Sequence, residues 1–90
     1  MKINEKINLT KQFKNEVEAI KKDESYEYRV IVSSTSKNVY GNNLDDQIIN
    51  FHLEHISSDY KEDGNYDTVI SNGYINEDMV IGEFLFRRLK

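Results

Sequence analysis

The chain has no cysteine, no proline and no tryptophan, and only one alanine and four glycines in 90 residues. Without cysteine there is no disulfide framework, no thiolate nucleophile and no Cys-ligated zinc. No apolar run approaches the ~18 residues of a membrane-spanning helix, and Val30-Ile31-Val32 is typical of the longest. The start, Met1-Lys2-Ile3-Asn4-Glu5-Lys6, lacks the apolar stretch of a signal peptide, so an intracellular, cytoplasmic protein is expected. Gly41, Gly64, Gly73 and Gly82 are too dispersed to form a Gly-rich phosphate loop. No serine sits in a nucleophile elbow. The expectation is a non-catalytic protein that needs no cofactor.

Ten Ile, ten Asn and nine Lys dominate the composition, and all three have AT-rich codons. This usage points to a low-GC bacterium, or to a phage or plasmid living in one. Aromatic residues make up 11% and the apolar residues are periodic, which separates the chain from a disordered one. A domain of this size buries somewhat over ~60% of its unfolded surface, enough for one core.

Leu9, Phe13, Val17 and Ile20 form one stripe at helical spacing and predict a helix from about Leu9 to Lys22. Asn8 or Thr10 is its expected cap. Ile3 and Ile7 fall off the stripe, so the first seven residues read as a separate lead-in. Tyr26 to Ser34 is the clearest strand: Tyr26, Tyr28, Val30 and Val32 alternate with Glu27, Arg29, Ile31 and Ser33. Ser33 to Asn38 reads as a turn region, and Val39-Tyr40 as the start of a short return strand.

Gln47 to Ser57 fits two patterns. As a strand, Ile49, Phe51, Leu53 and His55 share a face. As a helix, Asn43 caps, Asp45 and Asp46 sit on the positive end of the dipole, and Ile49, Leu53, Ile56 and Tyr60 form the stripe. The alternation tips the balance narrowly to a strand. Lys61 to Asn65 is a turn by composition, Tyr66 to Ser71 a short strand, and Asn72-Gly73 another turn. From Asn76 to Lys90 the ends carry helix signals, with Glu77 and Asp78 at the start and Arg87, Arg88 and Lys90 at the finish. Gly82 interrupts that pattern, and Met79, Val80, Ile81, Phe84, Leu85 and Phe86 are apolar on nearly every side. Such an element is a buried helix or a central strand, or keeps one face for a partner, with Val80, Phe84 and Phe86 as a homodimer contact. Together these elements predict a single α+β domain over residues 1–90, an antiparallel β-sheet packed against one or two α-helices.

His52 and His55 are the only histidines, and no third ligand converges on them, so a hydrogen-bonded core histidine is the simpler expectation than a zinc site. Asp59, Asp63, Gly64 and Asp67 fall at positions 1, 5, 6 and 9 of a calcium loop. Lys61 and Ile70 stand where that loop needs a ligand and a bidentate Glu, and the match fails. No metal site is expected.

The net charge of -4 hides a segregation. From Leu44 to Glu83 there are ten acidic residues and one basic residue, Lys61, giving -9, and the flanks carry +5. An acidic surface also serves solubility, and charges separated along a chain cancel where they fold together. The sharper expectation is a binding face for a basic partner, with tyrosines as rigid contact area and carboxylates imitating a phosphate array. Asp59, Tyr60, Glu62, Asp63, Tyr66 and Asp67 surround a predicted exposed turn and are its candidate residues. The alternative is a small regulatory nucleic-acid binder using Lys11, Lys14, Lys21, Lys22, Arg87 and Arg88, which the -9 block opposes.

In size, acidity, AT-rich coding and absence of a catalytic signature, the chain resembles the small anti-defence inhibitors of phages and mobile elements, anti-CRISPR proteins among them. The resemblance is one of type and covers no motif. It implies stoichiometric protein binding that blocks a basic, nucleic-acid-handling host protein, such as a nuclease.

Overall fold

The computed structural model describes residues 9–89. In chain order it contains helix α1 (Lys11–Ile20), strand β1 (Tyr28–Ser36), a 3-10 turn (Lys37–Tyr40), helix α2 (Asp45–Gly64) and strands β2 (Tyr66–Asn76) and β3 (Met79–Arg88). The expected lead-in over the first seven residues, Asn8 as a cap and the final Lys90 lie outside the described residues.

The three strands form one antiparallel sheet in the order β1-β3-β2. The C-terminal segment is therefore the central strand, and its all-round apolar character follows. Neighbouring residues of a strand point to opposite faces, and here each face is covered by a helix. Leu85 meets Phe13 and Val17 of α1, with Leu9, Ile20, Tyr28, Val30, Val69 and Ile70 packed around them. Phe84 and Phe86 meet Leu53, Ile56 and Tyr60 of α2, joined by Tyr66 and Ile31. The protein is thus an α+β domain with a three-stranded antiparallel sheet between two helices. Val80, Phe84 and Phe86 are each 0% exposed, so the side chains suggested for a dimer contact are spent on the core.

α1 forms as its stripe predicts. Thr10 is the cap: its Oγ1 accepts from the Phe13 N–H (3.4 Å) and its carbonyl from the Lys14 N–H (2.9 Å). The helix is tied to the sheet by Glu83 of β3, which is 0% exposed. Glu83 Oε2 accepts from the Thr10 N–H (2.6 Å), and Oε1 accepts from the Thr10 hydroxyl (3.0 Å) and from Asn72 Nδ2 (2.8 Å). A buried carboxylate thus holds the positive end of α1, where a negative charge is favourable.

Several local expectations are corrected. β1 begins two residues later than the alternation suggests and runs on through Ser33–Ser36, because Ser36 to Ser33 pair with Met79 to Gly82 of β3. Ladder partners outweigh the turn propensity of the serines. Val39-Tyr40 is no return strand but the end of the 3-10 turn, which Ser36 Oγ opens by accepting from the Asn38 N–H (3.2 Å). Gln47 to Ser57 lies inside α2 rather than a strand. Ile48 and His52 are buried against the sheet, whereas Phe51 and His55 of the alternating set face outward. Asn43 does not cap this helix. Its side chain donates to the Tyr40 carbonyl (2.7 Å), while Leu44 is the cap residue and its N–H donates to Gln47 Oε1 (3.1 Å). Lys61 to Gly64 is the last turn of α2, and the reversal comes one residue later at Asn65, with φ 58°.

The last correction explains two glycines. Asn72-Gly73 is not a turn but the interior of β2, and Gly73 pairs with Gly82 across the sheet on the face covered by α2. A Cβ at Gly73 would lie 2.6 Å from Ile49 Cγ2, and one at Gly82 would lie 2.7 Å from the Phe84 ring and 3.1 Å from a Leu53 methyl. The paired glycines let α2 approach the sheet closely. The true hairpin turn is Glu77-Asp78, between the paired Asn76 and Met79, with Glu77 at φ 58°.

Candidate functional site

The acidic residues singled out in the sequence gather mainly at the C-terminal end of α2. Asp59, Glu62 and Asp63 are exposed there, with Lys61 as the basic residue among them. Glu62 and Asp63, in the last turn, face the negative pole of the helix and its free carbonyls, which destabilises a surface helix by roughly 0.3–1 kcal/mol per charge. Little compensates the three carboxylates. Asp59 lies 3.6 Å from His55 Nε2, both exposed, and Glu62 accepts from Ser58 Oγ at 3.4 Å. Asp63 has no ion-pair partner among the described residues.

Tyr60 and Tyr66, expected beside an exposed turn, are packed into the core. Tyr60 stacks on Phe86 (4.6 Å between centroids, 14°), which stacks in turn on Phe84 (5.3 Å, 6°). Tyr66 is 7% exposed and meets Tyr60 edge-on (6.4 Å, 63°). The two rings close the core at this end and present their outer atoms to a cleft. Asp59, Tyr60, Asp63, Gly64, Tyr66 and Arg29 line that cleft, whose volume is about 370 Å³. Gly64 keeps it open, since a Cβ there would lie 2.7 Å from the Tyr66 ring.

The structure therefore brings Asp59, Tyr60, Asp63 and Tyr66 around one cleft and puts Glu62 on the same helix end. It separates Asp67. Asp67 pairs with Arg87 across the ladder, one residue out of phase with Phe86, so it belongs to the α1 face of the sheet. There it lies 3.7 Å from the Arg87 guanidinium. Arg29 was missed, because the alternation marks it only as a polar strand residue. Its register opposite Phe86 is what brings it to the end of α2.

The basic residues of the alternative do not form one patch. Lys11, Lys14, Lys21 and Lys22 are exposed on and just after α1, interspersed with Glu16 and Glu18. Arg87 is held by Asp67 and lies 4.6 Å from the Tyr26 ring centroid, while Arg88 lies on the opposite face, 5.8 Å from the Tyr66 centroid.

The histidines separate as well. His52 is 1% exposed, and His55 is on the surface. His52 Nε2 faces the Ser33 carbonyl (3.4 Å), so this nitrogen carries the proton, and Nδ1 accepts from the Tyr40 hydroxyl (2.7 Å). Burial lowers the His52 pKa below the ordinary imidazole value and raises that of Tyr40. This is a neutral core histidine in a satisfied pair. The calcium-loop span from Asp59 is split between the end of α2 and β2. Among the described residues no group of three or more His, Asp or Glu side chains is placed to hold a metal ion. No described helix is long and apolar enough to cross a membrane.

Comparison with known proteins finds no family model, no curated protein and no solved structure that matches the chain.

Proposed function

We propose that the protein is a non-catalytic binding module of the cytoplasm that uses the acidic C-terminal end of α2 to occupy a basic, nucleic-acid-handling host protein. The observation that supports this most is the set of exposed carboxylates Asp59, Glu62 and Asp63, the last two in the helical turn least suited to them. Such a cluster attracts a cationic surface over distances of about a Debye length and competes there with phosphates. Tyr60 supplies rigid contact area beside the charges, already fixed by its stack on Phe86 and so ordered before binding. The likeness in type to phage and mobile-element inhibitors, anti-CRISPR proteins included, agrees with blockade of a nuclease or similar protein by competition.

The test is capture of a host protein from a lysate of a low-GC bacterium, compared with the charge-reversed variant Glu62→Lys/Asp63→Lys. The variant is expected to lose the captured protein while melting no lower than the wild type, since lysines suit the end of a helix. Added nucleic acid should release the partner from the wild-type protein. Equal capture by the variant would remove the acidic end from consideration.

A further inference from the structure

We infer that the cleft at the end of α2 takes the guanidinium side chain of one arginine from a protein partner. The inference rests on reading the acidic end of α2 as a binding face, and names what anchors there. One wall carries Asp59 and Asp63, one helical turn apart, next to the carbonyl end of a 20-residue helix. Both carboxylates and the helix pole favour a cation at that wall. Arg88 lies 5.8 Å from the Tyr66 ring centroid, and Arg29 lines the cleft itself. The Arg29 guanidinium lies 5.9 Å from the Tyr66 ring centroid, and among the described residues it has no carboxylate within ion-pair distance. Its charge also limits the cleft to a single incoming cation.

The chemistry favours arginine over lysine. A guanidinium is planar, donates in its plane to two carboxylates and lays its face on an aromatic ring, whereas an ammonium is a compact, strongly hydrated point charge. Tyr60 provides the ring, because Tyr66 is 7% exposed and is already faced by the Arg29 and Arg88 guanidinia. A volume of about 370 Å³ admits a long side chain with part of its backbone. Partly enclosed ion pairs of this kind beside aromatic anchors are where interfaces concentrate their binding energy.

The probe is N-acetyl-L-arginine methylamide, titrated into uniformly 15N-labelled protein, with the lysine and citrulline analogues as controls. The arginine probe should shift the amides from Asp59 to Tyr66, saturate in the millimolar range and weaken as salt rises. The lysine analogue should bind more weakly, and citrulline, which keeps the shape without the charge, should not shift these amides. Asp59→Asn/Asp63→Asn should lose the shifts while retaining the dispersed spectrum, because it removes the Asp63 charge from an unfavourable helix end. Arg29→Gln should strengthen binding by removing repulsion. Equal shifts from arginine and citrulline, no shifts at all, shifts that survive the double Asn variant, or weaker binding to Arg29→Gln would each overturn the inference. The probe reports on the cleft independently of any host protein. Capture from lysate without probe binding would sink the arginine anchor and leave the acidic-face proposal standing. Probe binding without capture would do the reverse.

Discussion

Glu83 supports the sharpest prediction about stability. It is a carboxylate with 0% exposure that joins the central strand to the start of α1. Three donors reach it: the Thr10 N–H at 2.6 Å, the Thr10 hydroxyl at 3.0 Å and Asn72 Nδ2 at 2.8 Å. A hydrogen bond to a charged group contributes about 1.5–3 kcal/mol, but Thr10 and Asn72 reach solvent and recover part of that from water. Replacement by alanine removes all three bonds and leaves a hole, for a loss on the order of 3 kcal/mol. For a domain of this size that lowers the melting temperature by roughly 12–24 °C. Glu83→Gln keeps the shape but turns one oxygen into a donor that faces other donors, and should lose about 1–2 kcal/mol.

The two variants are to be compared by circular-dichroism melting and by amide hydrogen exchange at constant pH. Exchange is the decisive assay, because it resolves where the stability is lost. The amides of α1 should lose protection before those of β3, since a ten-residue helix is marginal without tertiary contacts. If Glu83→Gln melts with the wild type and α1 stays fully protected, the latch is refuted. α1 would then be held by the burial of Phe13 and Val17 alone.

Three further outcomes follow from the other sites. Gly73→Ala forces a Cβ to 2.6 Å from Ile49 Cγ2 and should destabilise by about 1–3 kcal/mol, whereas an unchanged melting temperature would mean that α2 does not sit so close. His52 takes up a proton less readily when folded than when unfolded, because burial lowers its pKa. Its contribution to stability is therefore complete above about pH 6.5 and declines as pH falls below that value. His52→Gln should accordingly flatten the loss of melting temperature between about pH 7 and pH 5, and a slope equal to that of the wild type would count against the buried neutral imidazole. Tyr40→Phe removes the hydroxyl that donates to His52 Nδ1 and should cost about 1–2 kcal/mol by urea unfolding, so a neutral effect would dissolve the pair.

Much of this protein is legible along the chain, and the legible parts are those in which one face does one job. The stripe of Leu9, Phe13, Val17 and Ile20 predicts α1, because a helix at the surface of a sheet buries one side only. The period-2 pattern around Val30 predicts β1 to within two residues at each end. The exclusion of cysteine chemistry and the -9 block also need nothing but the sequence. In the acidic segment the sequence picks out Asp59, Tyr60, Asp63 and Tyr66, which do come together.

What the tertiary structure decided depends on partners distant in sequence. Met79 to Arg88 reads ambiguously because it is covered on both faces, and that follows from its central place between β1 and β2. Gly73 and Gly82 look like a turn and a helix break until the ladder pairs them under Ile49 and Leu53. Asn43 and the Asp63-Gly64 pair carry strong local signals, yet the amide of Asn43 is drawn to the Tyr40 carbonyl and α2 continues to Gly64. Strand phase separates Asp67 from Tyr66, its neighbour in sequence, and register brings Arg29 to a helix end thirty residues away. Periodicity is a local property and sets which residues share a face. Which face meets which, and at what distance, is set by long-range burial and pairing, and so appears only in the folded chain.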